Sequence, residues 1–349
     1  MKISAGATSV PHTGGRRFFT PRRCFFLSLS LLLLGMLYSL TIGRYPIAFP
    51  TLLNFFHSLP SAPQNTLLHN LIIDTRLPRI IAAVLVGAGL SVSGAAYQAV
   101  FRNPLVSPGL LGVLSGCAFG AALGITFGLN GLWVPLLATL AGLLAVALGV
   151  GIAGLFASSS MLMLILGGII SNALFTGLLS IVKYLADPQD QLPAIVYWTL
   201  GSLSAVDNRA LWLIAPPLAL ATLLLASCGR ALDVMTLSED EAYSLGVPVR
   251  VYRYGVIVLA TLISALTVSI AGMVGWVGLL IPHLARLLVG ASNVWLLPVS
   301  VCLGACFLLL CDGLARSLTA GEIPLGIITQ LLGALAFVAL LKSARRGWL

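Results

Sequence analysis

About ten apolar runs, most of them roughly 20 residues long, follow one another along this chain, separated by short breaks rich in Pro, Gly or charge. A helix of about 20 residues rises some 30 Å, the thickness of a bilayer's hydrocarbon core. The runs do not alternate in polarity and are about twice as long as the strands of a membrane barrel. In lipid, only helices and closed barrels satisfy every backbone N–H and C=O, so helices remain. Charged residues make up 8% of the sequence and the mean hydropathy is +1.05. A soluble domain carries about 25% charged residues, so this chain has too few to cover a water-facing surface. The expected fold class is an all-α polytopic membrane protein with about ten transmembrane helices.

The runs fall at about 24–43, 79–101, 109–128, 133–156, 161–185, 209–228, 251–271, 276–290, 295–312 and 323–341. An even number of spans puts both termini on one side. Lys2, Arg16, Arg17, Arg22 and Arg23 precede the first run, and Lys342, Arg345 and Arg346 follow the last, which marks that side as cytoplasmic. Topology accounts for the net charge of +9 better than nucleic-acid binding does. Residues 44–78 then form a polar, Pro-containing outer stretch. Ser158-Ser159-Ser160 makes an inner turn, and 312–322 lie outside. The outer segment 186–208 holds a short apolar piece at about 193–203, too short to cross, which reads as a re-entrant or interfacial helix with Tyr197 and Trp198 at headgroup level. The first run is a retained span rather than a signal peptide, because it is long and no A-x-A site precedes Arg44 and Pro46. The basic tail 1–23 reads as cytoplasmic and disordered, and 24–349 as one domain.

Six cysteines, Cys24, Cys117, Cys228, Cys302, Cys306 and Cys311, sit in or beside apolar runs. Cys302 and Cys306 share a helix face, but no His or carboxylate completes a ligand set, so they read as small buried residues and no metal site is expected. Gly87, Gly89 and Gly94 in the second run, and Gly167, Gly168 and Gly177 in the fifth, suit close helix packing.

One long polar interruption divides the chain, GRALDVMTLSEDEAYSLGVPVR at 229–250, and it holds Asp233, Glu239, Asp240 and Glu241, four of the ten acidic residues. Ser238 followed by three acids reads as a capped helix start, since acids favour the positive end of the helix dipole. Gly246 and Pro248 end that helix. The pattern predicts a short helix over 239–245 facing the cytoplasm, a surface for another protein to grip. The alternative is an ordinary solvated loop.

Four stretches then stand together: RLPRIIAAVLVGAGLSVSGAAYQAVFRNPLVSPGLLG (76–112), LDVMTLSEDEAYSLGVPV (232–249), AGMVGWVGLLIPHLARLLVG (271–290) and GEIPLGIITQLLGALAFVALL (321–341). In this order they resemble the FecCD family over roughly residues 20–345, the permease subunits of bacterial ABC importers for ferric siderophores, haem and cobalamin. The resemblance implies a ten-span ABC importer type II permease fold in the inner membrane. It also implies a second permease copy (homodimer or related heterodimer) with the pathway at their interface, two cytoplasmic ABC ATPase subunits and a periplasmic substrate-binding protein. The sequence has no Walker A pattern, so ATP and Mg are expected in the partner ATPase, no cofactor on this chain, and no catalysis by it.

By the same resemblance, Ser238, Glu239, Asp240, Glu241, Tyr243, Leu245 and Gly246 belong to the coupling helix that sits in a cleft of the ATPase. Arg76, Arg79 and Arg316 match arginines that dock carboxylates of the binding protein. Arg forms bidentate carboxylate bonds, which suits docking, while pairing within the chain with Asp74 or Asp312 is the alternative. Asn103, Pro104 and Leu105 match the residues that close the inner end of the pathway, against the simpler reading of a proline helix stop. His283 is a candidate as an ionisable residue within a span, although a structural hydrogen bond beside Pro282 fits it better. Gln98 and Gln330 either face the pathway or satisfy helix contacts. Two departures from the family pattern are Ala291-Ser292-Asn293, where many members carry a charged turn, and Gly333-Ala334-Leu335-Ala336-Phe337, which lacks a proline. The expected cargo is a ferric siderophore, with cobalamin, haem or molybdate as alternatives. An ion-coupled secondary transporter is the rival class, and it would want carboxylates within the spans, whereas here Asp and Glu fall outside them or at their ends.

Overall fold

A computed structural model describes residues 20–345 except 44, 59–66, 156–160, 205, 207, 238, 247 and 320. Seven helices in it are long and apolar enough to cross a membrane, and three shorter apolar helices bring the set to ten. In chain order the elements are α1 (Pro21–Thr41), α2 (Phe49–Ser58) and α3 (Leu67–His69), the last continuing through a π-helical stretch, Asn70–Arg76, into α4 (Leu77–Val100). Then come α5 (Val113–Thr126), α6 (Trp133–Leu155), α7 (Met161–Leu185) and α8 (Gln191–Leu200). They are followed by α9 (Asn208–Ser227), α10 (Gly229–Met235), α11 (Glu239–Ser244), α12 (Val249–Ala271), α13 (Val277–Val289), α14 (Asn293–Ser317) and α15 (Leu325–Arg345).

Four sequence expectations need correcting. The described part of 44–78, expected only as a polar, Pro-containing stretch, is largely helical. Ile72 is fully buried there, and the widening to π geometry before Pro78 lets the helix run unbroken from Leu67 to Val100. The ninth span does not stop at 312, because α14 continues to Ser317 and carries Asp312 and Arg316 inside it, each charge neutralised by a partner. Asp312 is therefore a carboxylate within a span, though one held between cations rather than free to carry an ion. The tail is shorter than 1–23, since α1 begins at Pro21, a residue suited to the first helical turn. Residues 1–19, like the Ser158–Ser160 turn, lie outside the described residues. The helix α10 was not anticipated at all.

α4 is the axis of the bundle: most of its membrane stretch is buried. Small residues let its neighbours approach to backbone contact, which replaces the hydrophobic drive that lipid removes. A Cβ at Gly87 or Gly304 would overlap the other helix of the α4–α14 contact, and one at Gly94 would meet Gly278 of α13. Polar ties fix α4 to α12: Tyr97 Oη lies 2.6 Å from Thr261 Oγ1, and Ser264 Oγ donates to Ser93 Oγ at 3.1 Å. At one end, Gly201, Gly272 and Gly326 close a three-way junction of α8, α12 and α15. Ser202 N–H donates to Ala271 O at 2.9 Å and Leu325 N–H to Gly201 O at 2.8 Å. Gly201 and Gly272 have positive φ there, which only glycine adopts freely. α7 and α15 stand at the outside of the bundle, with Ile170, Leu174 and Leu178 exposed on one and Leu331, Leu335 and Val338 on the other.

Candidate coupling and gating sites

The 229–250 segment folds as two short helices. α11 covers Glu239–Ser244, as the acidic start and glycine stop required, and Gly246 takes a φ of +74° just beyond it. Ala242 is fully buried and anchors the helix, while Glu241, Ser244 and Leu245 face outward, Leu245 at 62% exposure. Ser238 and the side chains of Glu239, Asp240 and Tyr243 lie outside the described residues.

α10 joins α11 to the bundle. Leu232 and Met235 are buried beneath it. Its first residue, Gly229, lies so close to α14 that a Cβ would come within 2.7 Å of Val294 Cα. The Asp233 carboxylate accepts three hydrogen bonds from the start of α14: Ser292 Oγ at 2.8 Å, Asn293 N–H at 2.6 Å and Asn293 Nδ2 at 2.8 Å. A helix N-terminus has unsatisfied N–H groups and a positive dipole end, so a carboxylate from another element can cap it. The Met235 carbonyl accepts from Arg102 Nε at 3.0 Å, just past the end of α4.

That second tie meets the expected gate. Arg102 has a φ of +49°, a left-handed turn that L residues adopt only at a cost. Asn103, Pro104 and Leu105 follow as an exposed tip, with Leu105 60% exposed. Asn103 Oδ1 accepts the Leu105 N–H at 3.0 Å, so this oxygen stabilises the turn itself. α4 thus ends before Pro104, consistent with the proline reading, and the tip presents an exposed apolar side chain.

The arginines cluster at the other ends of α4 and α14, about 30 Å away along the helices. Arg79 Nε donates to Asp312 Oδ1 at 2.8 Å, and its Nη1 reaches both Glu322 oxygens at 3.0 and 2.9 Å. Arg316 pairs with Asp312 Oδ2 at 3.0 Å and donates to Ser39 Oγ at 2.8 Å and Ile42 O at 3.3 Å. Arg76 donates to the carbonyls of Leu40 and Tyr45. All three arginines are less than a tenth exposed. The structure therefore brings them together with in-chain partners, for Arg316 the Asp312 pair weighed from sequence. Asp74 is not among the partners of Arg76. Glu322, partly exposed, is the member of this network open to an incoming protein.

His283 takes the structural role: with Nδ1 protonated it donates to Leu279 O at 3.2 Å, and its ring meets Phe337 edge-on at 5.5 Å. Gln98 is buried and donates to Gly278 O at 3.3 Å, whereas Gln330 is exposed on α15. Sequence reasoning assigned no role to Asp233 or Arg102. No local signal could have done so, because the partners of Asp233 lie 59 and 60 residues later.

Comparison with known proteins agrees with this all-helical fold. The model of the FecCD transport family matches residues 31–343. The molybdate import system permease protein MolB of Haemophilus influenzae is 41% identical over 330 residues, covering 94% of this chain and 97% of MolB. The hemin transport system permease protein HmuU of Yersinia pestis is 35% identical over 332 residues, 93% of this chain and 97% of HmuU. Among solved structures, an inward-facing ABC transporter assigned to the metal-chelate type superposes with a TM-score of 0.82 at 40% identity, covering 92% of this chain and 99% of that one. The chain belongs to the FecCD transport family, and it is the membrane-embedded permease subunit of an ABC importer.

Proposed function

We propose that this FecCD-family permease carries a ferric siderophore inward across the bacterial inner membrane by alternating access, as one of two permease copies flanking a shared pathway. Both termini face the cytoplasm in this reading. Two ATPase subunits, which bind ATP and Mg, grip the 229–250 segment through Ser238, Glu239, Asp240, Glu241, Tyr243, Leu245 and Gly246. The exposed apolar faces of α7 and α15 suit a second copy and the smooth walls of a pathway. The tip Asn103-Pro104-Leu105 closes that pathway at the inner end, with Leu105 from each copy as the plug. At the outer end the binding protein docks around Arg76, Arg79 and Arg316. Since their guanidinium groups are already engaged, the first contact falls on Glu322 and its loop, and a direct contact needs Glu322 to release Arg79.

The observation that carries the reading is α11: a short helix with an outward polar face at one pole of a membrane bundle, joined through α10 to the ends of α4 and α14. Molybdate is the second reading, favoured by the 41% identity with MolB across nearly the whole chain. The test is uptake into proteoliposomes holding the permease, its ATPase and its binding protein, with labelled iron on several siderophores and labelled molybdate in parallel. Uptake of a ferric siderophore that requires internal ATP supports the proposal. ATP-dependent uptake of molybdate alone keeps the machine and changes the cargo. Uptake driven by an imposed proton or sodium gradient without ATP would sink the coupling mechanism.

A further inference from the structure

The two contacts of α10 make it a bracket across the ends of two closely packed helices, α4 and α14. Gly229 and Asp233 hold α14, and the Met235 carbonyl holds the turn after α4. α4 and α14 are in turn locked to one another, by backbone contact at Gly87 and Gly304 and by the Arg79–Asp312 ion pair at their far ends. A push on α11 can therefore enter the bundle by two routes. One is covalent, through Pro248 into α12. The other is non-covalent, through α10 into the α4–α14 pair that carries the inner tip and the outer charge network.

We propose that Asp233 is the positioning residue of the second route: its carboxylate on the N-terminus of α14 makes the coupling segment and the α4–α14 pair move as one body. The geometry favours Asp233 over its neighbours. Its carboxylate reaches α14 with three hydrogen bonds of 2.8 Å or less, two of them from one residue, so it is fixed in both position and orientation. Without it, α10 keeps the Gly229 approach and the Arg102 tie, so the segment stays folded against the bundle but is free to rock on α14. That loss separates hydrolysis from transport rather than abolishing either fold or docking. The inference rests on the importer reading above.

The experiment measures substrate imported per ATP hydrolysed, in proteoliposomes holding the complete complex of permease, ATPase and binding protein. Asp233→Ala is expected to lower that ratio by about tenfold, the size of effect that losing charge-assisted hydrogen bonds produces, while the hydrolysis rate stays within about twofold. Asp233→Asn keeps an acceptor for the Asn293 N–H and should recover most of the ratio. An unchanged ratio in Asp233→Ala overturns the proposal, and so does an Asn variant as uncoupled as the Ala variant. If Asp233→Ala fails to assemble, the double variant Ser292→Ala, Asn293→Ala removes two of the three donors and is read in the same way. A wild-type complex with no ATP-dependent uptake would defeat the functional reading itself, a result distinct from a coupled wild type with a coupled Asp233→Ala.

Discussion

Single residues decide where charge can be tolerated inside this bundle. Asp312 has no exposed surface and stands between Arg79 and Arg316, so it neutralises two cations that lipid and packed helices would otherwise leave uncompensated. Removing one member of a buried pair costs about 3–5 kcal/mol, because the remaining charge has no water to turn to. Asp312→Ala is therefore expected to destabilise the permease by about that amount, and Arg76→Ala, which leaves two carbonyls rather than a charge, by less. Thermal unfolding of the two variants in nanodiscs checks the order. The Asp312–Arg316 pair, four residues apart, was weighed from the sequence, but the Arg79 bond was not legible locally, since Arg79 and Asp312 are 233 residues apart. Of the in-chain partners the sequence offered, Asp74 and Asp312, the structure uses Asp312 and adds Glu322.

Helices pack by the small residues on their faces, and the structure separates glycines that the sequence treats alike. Gly304 lies against Gly87 and Ser91, whereas Gly177 on α7 has open space around its Cα. Overpacking a tight contact costs about 1–3 kcal/mol. Gly304→Ala should reach that range or exceed it, while Gly177→Ala should stay within about 0.5 kcal/mol of the parent, as surface changes do. Equal losses in the two variants would mean that the α4–α14 contact is not the close one. The helices themselves were readable from apolar length: α7 spans the very residues expected, 161–185. The misplaced ends were those where a helix runs on into polar sequence. Asp312 and Arg316 were assigned to a loop because charge normally ends a span, yet mutual pairing let α14 carry them inside.

At the scale of the whole molecule, two clusters of tied polar residues sit at opposite ends of one buried pair of helices, α4 and α14. One end holds α10, α11 and the Asn103–Leu105 tip, the inner pole of the proposed reading, and the other holds the arginine network. Reversing charge on α11, with Glu239→Arg and Glu241→Arg together, should cut ATP-driven uptake at least tenfold, the factor corresponding to about 1.4 kcal/mol of lost docking energy. Binding-protein docking at the other pole should be unaffected, which a pull-down with the substrate-loaded binding protein measures alongside uptake. Loss of both functions together would point to misfolding instead. Glu322→Gln, at the outer pole, should change binding-protein affinity and leave the ATPase contact intact, since it loosens only Arg79.

The sequence by itself determined the class, the count of apolar helices, the family and a short helix starting at 239, expected to 245 and found to 244, because these rest on signals carried in the chain itself: apolar length against bilayer thickness, the family's motifs, an acidic start, and a glycine stop. It could not determine how the coupling segment is held or whether the outer arginines are free. Those depend on which distant ends meet, Asp233 with Asn293, Arg102 with Met235, Arg79 with Asp312. Such meetings follow from the packing of glycine faces along α4, a property of the assembled bundle that no window of the chain contains.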